Sequence, residues 1–122
     1  MDMTAVSGFK VLSANTLKGD SVVNDKNEEL GTIEDLMIDL EKGRVAYAVL
    51  SFGGFMGMGE KLFAIPWSAL RVDTDEKRFV LNVPKEKLEK APGFDVDNWP
   101  DMADRKWSAG IENYYGSKPF RA

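Results

Sequence analysis

Apolar and polar side chains alternate with a period of two along residues 30–40, which is the pattern of a β-strand. Leu36, Ile38 and Leu40 share one face of this strand, and the residues between them share the other face. Ile33 has the opposite parity, because it lies three residues before Leu36. We therefore expect a β-bulge or a bend between Ile33 and Leu36.

Residues 44–52 are apolar on both faces, so they predict the most buried strand of the sheet. Gly43 precedes them in a short polar turn, where a hairpin favours a residue that tolerates positive φ. Residues 62–67 alternate again and contain Pro66. Because proline cannot donate a ladder hydrogen bond, this strand should end at Pro66 or lie at an edge of the sheet.

The remaining strand signals are shorter. Residues 70–72 and 79–83 predict a strand pair around a polar turn. A single helical turn is expected from Ser13, a plausible N-cap, to Gly19, and a tight polar turn at residues 24–29. Five or six short strands at this spacing predict a mainly β fold, a small antiparallel barrel or a sandwich.

The pattern becomes helical in the C-terminal part of the chain. Residues 85–91 predict a short polar helix. Residues 101–115 predict a longer helix, because Ala103, Trp107 and Ile111 recur at intervals of four.

The composition excludes several classes of chemistry. The 122 residues contain neither cysteine nor histidine, which rules out disulfides, thiolate nucleophiles, histidine general bases and histidine or thiolate metal sites. The formal net charge is −4 and the basic residues are interspersed with acids, which argues against nucleic-acid binding. No segment has the roughly 18 apolar residues of a membrane span. The N-terminus lacks the basic start and apolar run of a signal peptide, so we expect a cytoplasmic protein.

Three sequence blocks carry a resemblance to a known family: LGTIEDLMID at residues 30–39, GRVAYAVLS at residues 43–51 and FAIPW at residues 63–67. In this order and spacing the chain resembles the PRC-barrel family over residues 11–83. The tail from residue 92 is similar to the extension of stand-alone bacterial members. The family includes the cytoplasmic domain of the photosynthetic reaction centre H subunit and the C-terminal domain of a bacterial ribosome-maturation factor.

The resemblance implies a small β-barrel of five to six strands that docks onto protein assemblies. It implies no catalytic residues, because the family shares no catalytic motif, and we expect neither a cofactor nor a metal. We divide the chain into a barrel domain at residues 1–84, with a short N-terminal lead-in, and a C-terminal helical and aromatic extension at residues 85–122. The extension should pack on the barrel or on a partner subunit.

Residues 53–59 form a glycine-rich loop that carries Phe55, Met56 and Met58. A phosphate-binding loop is excluded, because Glu60 stands where the Walker lysine is needed and a strand, with no helix N-terminus, follows. The loop is therefore either a lid over the barrel mouth or an apolar contact surface.

Acidic side chains are the next candidates. Asp35 and Asp39 share a strand face, where two carboxylates can hold a cation or act as an acid–base pair. We prefer the interpretation that they lie on a solvated outer face. The acidic turn at residues 73–76 lacks the twelve-residue pattern of a calcium loop and is interpreted in the same way.

Four large aromatic rings lie in the tail, at Trp99, Trp107, Tyr114 and Tyr115. They either seal one end of the barrel within their own chain or form a dimer interface, since tryptophan and tyrosine concentrate in interface hot spots. Both apply if the helix crosses to a second subunit.

We therefore predict a non-enzymatic adaptor that binds protein, as a homodimer, without a membrane span of its own. Peripheral association with a membrane complex stays open. The expected interface residues are Phe55, Met56 and Met58 in the loop and Trp107, Ile111 and Tyr114 in the tail. The alternative is an RNA- or ribosome-associated factor, by analogy with the ribosome-maturation factor.

Overall fold

The computed structural model describes residues 12–53, 60–73 and 75–116. Short helices and strands follow one another along these ranges, and a 3-10 turn (Trp67–Ala69) joins the fourth strand to the fifth. In chain order the elements are α1 (Ala14–Leu17), β1 (Ser21–Val23), β2 (Glu29–Asp39), β3 (Arg44–Gly53), β4 (Glu60–Pro66), β5 (Leu70–Asp73), β6 (Arg78–Leu81), α2 (Lys85–Glu89) and α3 (Arg105–Tyr115).

The six strands form one sheet in the order β4-β3-β2-β1-β6-β5. Neighbouring strands are antiparallel except β1 and β6, which pair in parallel. The sequence analysis expected an antiparallel sheet throughout, and this one pair differs. Each antiparallel pair joins strands adjacent in the chain, whereas β6 returns to the free side of β1 after four other strands, so no local turn sets its direction.

The link between β4 and β5 shows that the sheet is curled. These strands are the two edges of the sheet, and in a flat six-stranded sheet they would lie roughly 24 Å apart at about 4.8 Å per strand. Three residues, Trp67–Ala69, connect them, and a connection of this length spans at most about 14 Å. The sheet therefore bends into a half-barrel, which confirms the predicted mainly β, barrel-type fold with a helical C-terminal extension.

Local turns and bulges follow the sequence closely. The register of β2 against β3 shifts between Ile33 and Asp35, where the change of parity predicts a bulge. Gly43 has φ +64° in the hairpin turn, as expected. Ser13 caps α1 by accepting a hydrogen bond from the backbone N–H of Asn15. These signals are reliable because each depends on residues that are close together in the chain.

Pro66 ends β4 and also lies at an edge of the sheet. Leu62 exchanges two backbone hydrogen bonds with Phe94, on the side of β4 away from β3. The N–H of Leu62 donates to the carbonyl of Phe94 and the N–H of Phe94 donates to the carbonyl of Leu62, with N to O distances of 2.9 and 2.8 Å. Because backbone groups alternate in direction along a strand, Ala64 and Pro66 also point away from β3. Proline therefore occupies a position where the ladder needs no donor, as the sequence predicted.

The hydrophobic core lies between the curled sheet and the C-terminal helices. It includes Phe63 of β4, Phe79 of β6, Leu88 of α2 and Ile111 of α3. β3 is buried on both faces as predicted, and β4 is buried to the same degree, since α3 packs against it. Both C-terminal helices therefore pack on the sheet of their own chain.

Gly31 lies at a close approach of β2 to β3. Its φ is +145°, which favours glycine, and a Cβ at this position would collide with the carbonyl oxygen of Ser51. Only glycine lets the two strands cross this closely at the start of β2. The glycine therefore has a packing role in the curl of the sheet.

Candidate protein-interaction surface

The limits of α3 are set by its two caps. The Asp104 side chain accepts a hydrogen bond from the backbone N–H of Lys106 at 2.9 Å, so the helix begins at Arg105. Gly116 adopts the left-handed conformation, with φ +66°, and ends it. The predicted start at residue 101 was therefore four residues too early. The buried face of the helix consists of Ser108, Ile111, Glu112 and Tyr115.

The predicted tail residues face their own sheet. Trp107 packs edge-on against Tyr47 of β3, with 5.3 Å between ring centroids. The side chain of Ile111 is only 3% exposed, so it has little surface left for a second protein. An interface role for Trp107, Ile111 and Tyr114 stays a prediction, to which Ile111 can contribute only through the packing of α3.

Tyr114 ties α3 to α2. Its hydroxyl donates a 2.5 Å hydrogen bond to the backbone carbonyl of Lys87. The Lys87 ammonium lies 5.3 Å from the centroid of the Tyr114 ring. The neighbouring Tyr115 is buried, and its hydroxyl has no hydrogen-bond partner within the described part of the chain. Burial, assisted by the nearby Tyr114, raises the pKa of Tyr115 well above its ordinary value.

The predicted loop residues Phe55, Met56 and Met58 lie outside the described residues, so the choice between lid and contact surface stays open. The strands that lead into the loop are described. Phe52 and Phe63 meet edge to face with their centroids 6.0 Å apart. Lysine ammonium groups lie about 6 Å from both rings, Lys85 at 6.0 Å from Phe52 and Lys61 at 5.9 Å from Phe63. An aromatic pair flanked by two cations thus forms the base of the loop.

The described part of the chain exposes a large apolar surface at the opposite end of β3. Leu40 is 89% exposed and Ile38 is 50% exposed, both at the β2–β3 hairpin. They border a groove of about 480 Å³ whose wall includes Met37, Tyr47 and Met102. We call this surface the hairpin groove, defined by these five residues. Exposed apolar surface of this kind commonly marks an interaction site.

The hairpin groove lies where β2 ends, beside a second shift of register. The pairing of β2 with β3 shifts again between Met37 and Ile38, so Ile38 lies opposite Val45. The extra residue at this shift is Ala46 on β3, so the alternation along β2 is unchanged. Leu36 and Met37 contact the core, whereas Ile38 and Leu40, at the hairpin end, are exposed. The alternation predicts one shared face for Leu36, Ile38 and Leu40, but it did not predict that this face is uncovered at the hairpin. A usable signal was present, since Leu40 directly precedes a polar turn.

The rim of the hairpin groove carries charges of both signs. Glu41, Lys42 and Arg105 are exposed there. The Asp39 carboxylate accepts hydrogen bonds from the backbone N–H groups of Glu41 and Lys42, at 3.0 and 3.1 Å, so it caps the hairpin turn. Asp39 thus has a structural task in the turn.

The other acidic candidate also has a local partner. The carboxylate of Asp35 accepts a hydrogen bond from the backbone N–H of Leu36 at 2.8 Å. Across residues 12–53, 60–73 and 75–116, no three acidic side chains come together in a group that could hold a metal ion. Within the same ranges, no helix is both long enough and apolar enough to cross a bilayer.

A second, smaller apolar surface lies where the tail crosses the edge of β4. Phe94 and Trp99 pack with centroids 5.1 Å apart, and Val96 beside them is 57% exposed. Gly93 fits closely over β4, since a Cβ there would come within 2.9 Å of the carbonyl oxygen of Leu62. This contact and the Leu62–Phe94 hydrogen bonds cover the edge strand, which guards it against unwanted pairing.

The chain is similar to known proteins at the level of a domain family. The sequence model of the PRC-barrel domain matches residues 9–88, and it ends inside α2. Among solved structures, one match is the 16S ribosomal RNA processing protein RimM from Pseudomonas aeruginosa, at 16% sequence identity and a TM-score of 0.39. The match covers 62% of this chain and 45% of that chain, so less than half of the RimM chain is represented. A search of curated proteins found no match.

Proposed function

The chain belongs to the PRC-barrel domain family, and from this premise we propose that it is a non-enzymatic cytoplasmic module that binds other proteins, including a second copy of itself. The described residues offer apolar surface suited to binding another protein. The single observation that carries the proposal is the hairpin groove, where Leu40 and Ile38 are exposed beside a concave wall that includes Met37, Tyr47 and Met102.

The energetic argument rests on the cost of leaving this surface in water. Burying a leucine or isoleucine side chain contributes about 1.5–3 kcal/mol each. Leu40 and Ile38 therefore offer a few kcal/mol of the binding free energy, which is the scale of an interface hot spot. Leu40 contributes little of that burial to the folding of its own chain, and Ile38, which is 50% exposed, contributes about half.

Site-specific photo-cross-linking in the native cell tests the proposal. A photoreactive residue placed at Ile38 should give a discrete cross-linked protein band. The same residue at Arg71, which is exposed on β5 and remote from the hairpin in the chain, is the matched control and should give none. If neither position captures a protein, the interaction proposal is wrong for this surface.

RNA or ribosome association is the second candidate, and the positions of three lysines favour it. Lys61, Lys85 and Lys87 each lie close to an aromatic ring, and two of them flank the base of the glycine-rich loop. Cations beside aromatic rings are a common feature of single-stranded nucleic-acid sites. Such binding would weaken steeply with salt, because phosphate neutralisation supplies most of the affinity.

Filter binding of the purified protein to single-stranded RNA tests this second candidate. Replacement of Lys61 and Lys85 by glutamine should abolish binding. Replacement of Lys18, which is exposed at the C-terminal end of α1, should not. The absence of binding by the unmodified protein at low salt would rule out the RNA candidate and leave the protein-binding proposal intact.

A further inference from the structure

We propose that the hairpin groove is the face through which two copies of this chain associate, with Leu40 of each copy seated in the groove of the other. The inference rests on the proposed protein-binding function and names the partner and the surface. It relocates the predicted dimer contact from the tail helix to the β2–β3 hairpin.

The first argument is that projection and groove lie side by side. Leu40 protrudes from the hairpin, with 89% of its surface exposed, and it borders a concavity of about 480 Å³ lined by Met37, Tyr47 and Met102. In a two-fold contact, the same patch of both copies meets. Every contact of a residue in the first copy with a residue in the second is therefore repeated with the two copies exchanged. A patch with one projection and one adjoining groove suits this symmetry, since both copies seat a leucine at once.

The second argument is charge complementarity of the face with itself. Its exposed rim carries Glu41 together with Lys42 and Arg105. A rim of a single sign would repel its own copy, because like charges across an interface are costly. Charges of both signs allow the acid of one copy to face a base of the other. With Asp39, which also lines the groove, the face carries two acids and two bases, whereas the chain as a whole carries a net charge of −4.

The third argument is that the tail helix is already used within the chain. Ile111 is 3% exposed and Trp107 packs on Tyr47. Because Tyr47 also lines the hairpin groove, α3 supports the wall of the groove from behind. The tail thus contributes to the dimer by positioning Tyr47, and the exposed hairpin residues make the contact.

Light scattering after size exclusion, followed by analytical ultracentrifugation, tests the proposal on the full chain. The unmodified protein should be a dimer. Leu40→Asp should raise the dissociation constant at least about 30-fold, the effect of losing one interface hot spot. Val96→Asp, at a second exposed apolar residue, is the matched control and should leave the dissociation constant unchanged. An unchanged circular dichroism spectrum in both variants would show that the fold is intact.

A cross-linking arm locates the contact. The chain has no cysteine, so Leu40→Cys supplies its only thiol. A short bismaleimide should couple two copies of this variant and should not couple two copies of Val96→Cys.

Three outcomes overturn the inference: a strictly monomeric protein, a dimer unaffected by Leu40→Asp, or equal coupling of the two cysteine variants. The proposed function fails separately. A monomer that still cross-links another protein through Ile38 in the cell keeps the interaction role and loses only the second copy as partner. A persistent dimer in Leu40→Asp keeps self-association and loses only the hairpin groove as its site.

Discussion

Replacement of Ile111 by alanine tests whether α3 packs on its own sheet or on a second subunit. Ile111 lies in the core with 3% of its surface exposed. The change removes three carbon atoms, which costs about 2.4 kcal/mol in transfer free energy at about 0.8 kcal/mol per methylene group. The cavity that remains brings the expected loss to about 3–4 kcal/mol, within the range of about 2–5 kcal/mol for such truncations.

Urea unfolding, followed by the fluorescence of Trp107 and the other tryptophans, measures this loss as a decrease in the free energy of unfolding. Gly110→Ala is the matched control on the same helix, since an added Cβ there meets no atom within 4 Å. It should stabilise the protein by about 0.5–1 kcal/mol, because alanine favours the helix over glycine. The two neighbouring changes thus have opposite predicted signs.

Two results would refute this reasoning. A loss below about 1 kcal/mol for Ile111→Ala would mean that α3 does not contribute to the core. In the Leu40→Asp background, which removes the proposed hairpin dimer, a loss that grows or shrinks with protein concentration would mean that the helix packs on a second subunit, since only an intermolecular contact depends on concentration. A loss of the predicted size at every concentration supports packing within one chain.

Three further predictions concern single side chains. Gly31→Ala should lower the free energy of unfolding by about 2 kcal/mol or more, because the new Cβ collides with the Ser51 carbonyl. Gly43→Ala, at positive φ but in open space, should lower it by only about 1 kcal/mol. Urea unfolding of both variants measures the difference. Tyr114→Phe should lower the free energy of unfolding by about 1 kcal/mol, because its hydrogen bond to Lys87 is lost. Tyr115→Phe should lower it by almost nothing at neutral pH, because the Tyr115 hydroxyl has no partner among the described residues. Equal losses in the two variants would contradict this difference in hydrogen bonding. The pKa of Tyr115 is raised in the folded state, so above about pH 10 only the unfolded chain releases this proton, and the free energy of unfolding should fall as pH rises past that point. Tyr115→Phe should reduce the slope of the free energy of unfolding against pH. An identical slope would show that Tyr115 does not cause the decrease.

Features set by neighbouring residues were predictable from the sequence. The bulge after Ile33, the positive φ of Gly43 and the end of β4 at Pro66 all follow from local parity or backbone restriction. The helical spacing found α3, although its first residue depends on the Asp104 cap and was placed too early. Of the predicted interface residues, Trp107, Ile111 and Tyr114 are correctly helical, and their contact with a partner remains a prediction.

The candidate site was less predictable, because an alternating pattern gives the face of a side chain and not whether another element covers that face. Ile38 and Leu40 have the same parity as the partly buried Leu36, yet both are exposed at the hairpin. The loop residues Phe55, Met56 and Met58 drew attention through composition alone, and their role stays a prediction.

The sequence by itself determined the elements, their turns and the absence of cysteine and histidine chemistry, since these depend on residue type and short-range spacing. Only the tertiary structure decided the parallel pairing of β6 with β1, the packing of α3 against β4 and the exposure of the hairpin. The physical reason is that each of these features depends on which distant segments pack on a strand and which surface they leave uncovered. Their geometry depends on how the curled sheet closes around one core, and no local pattern encodes that closure.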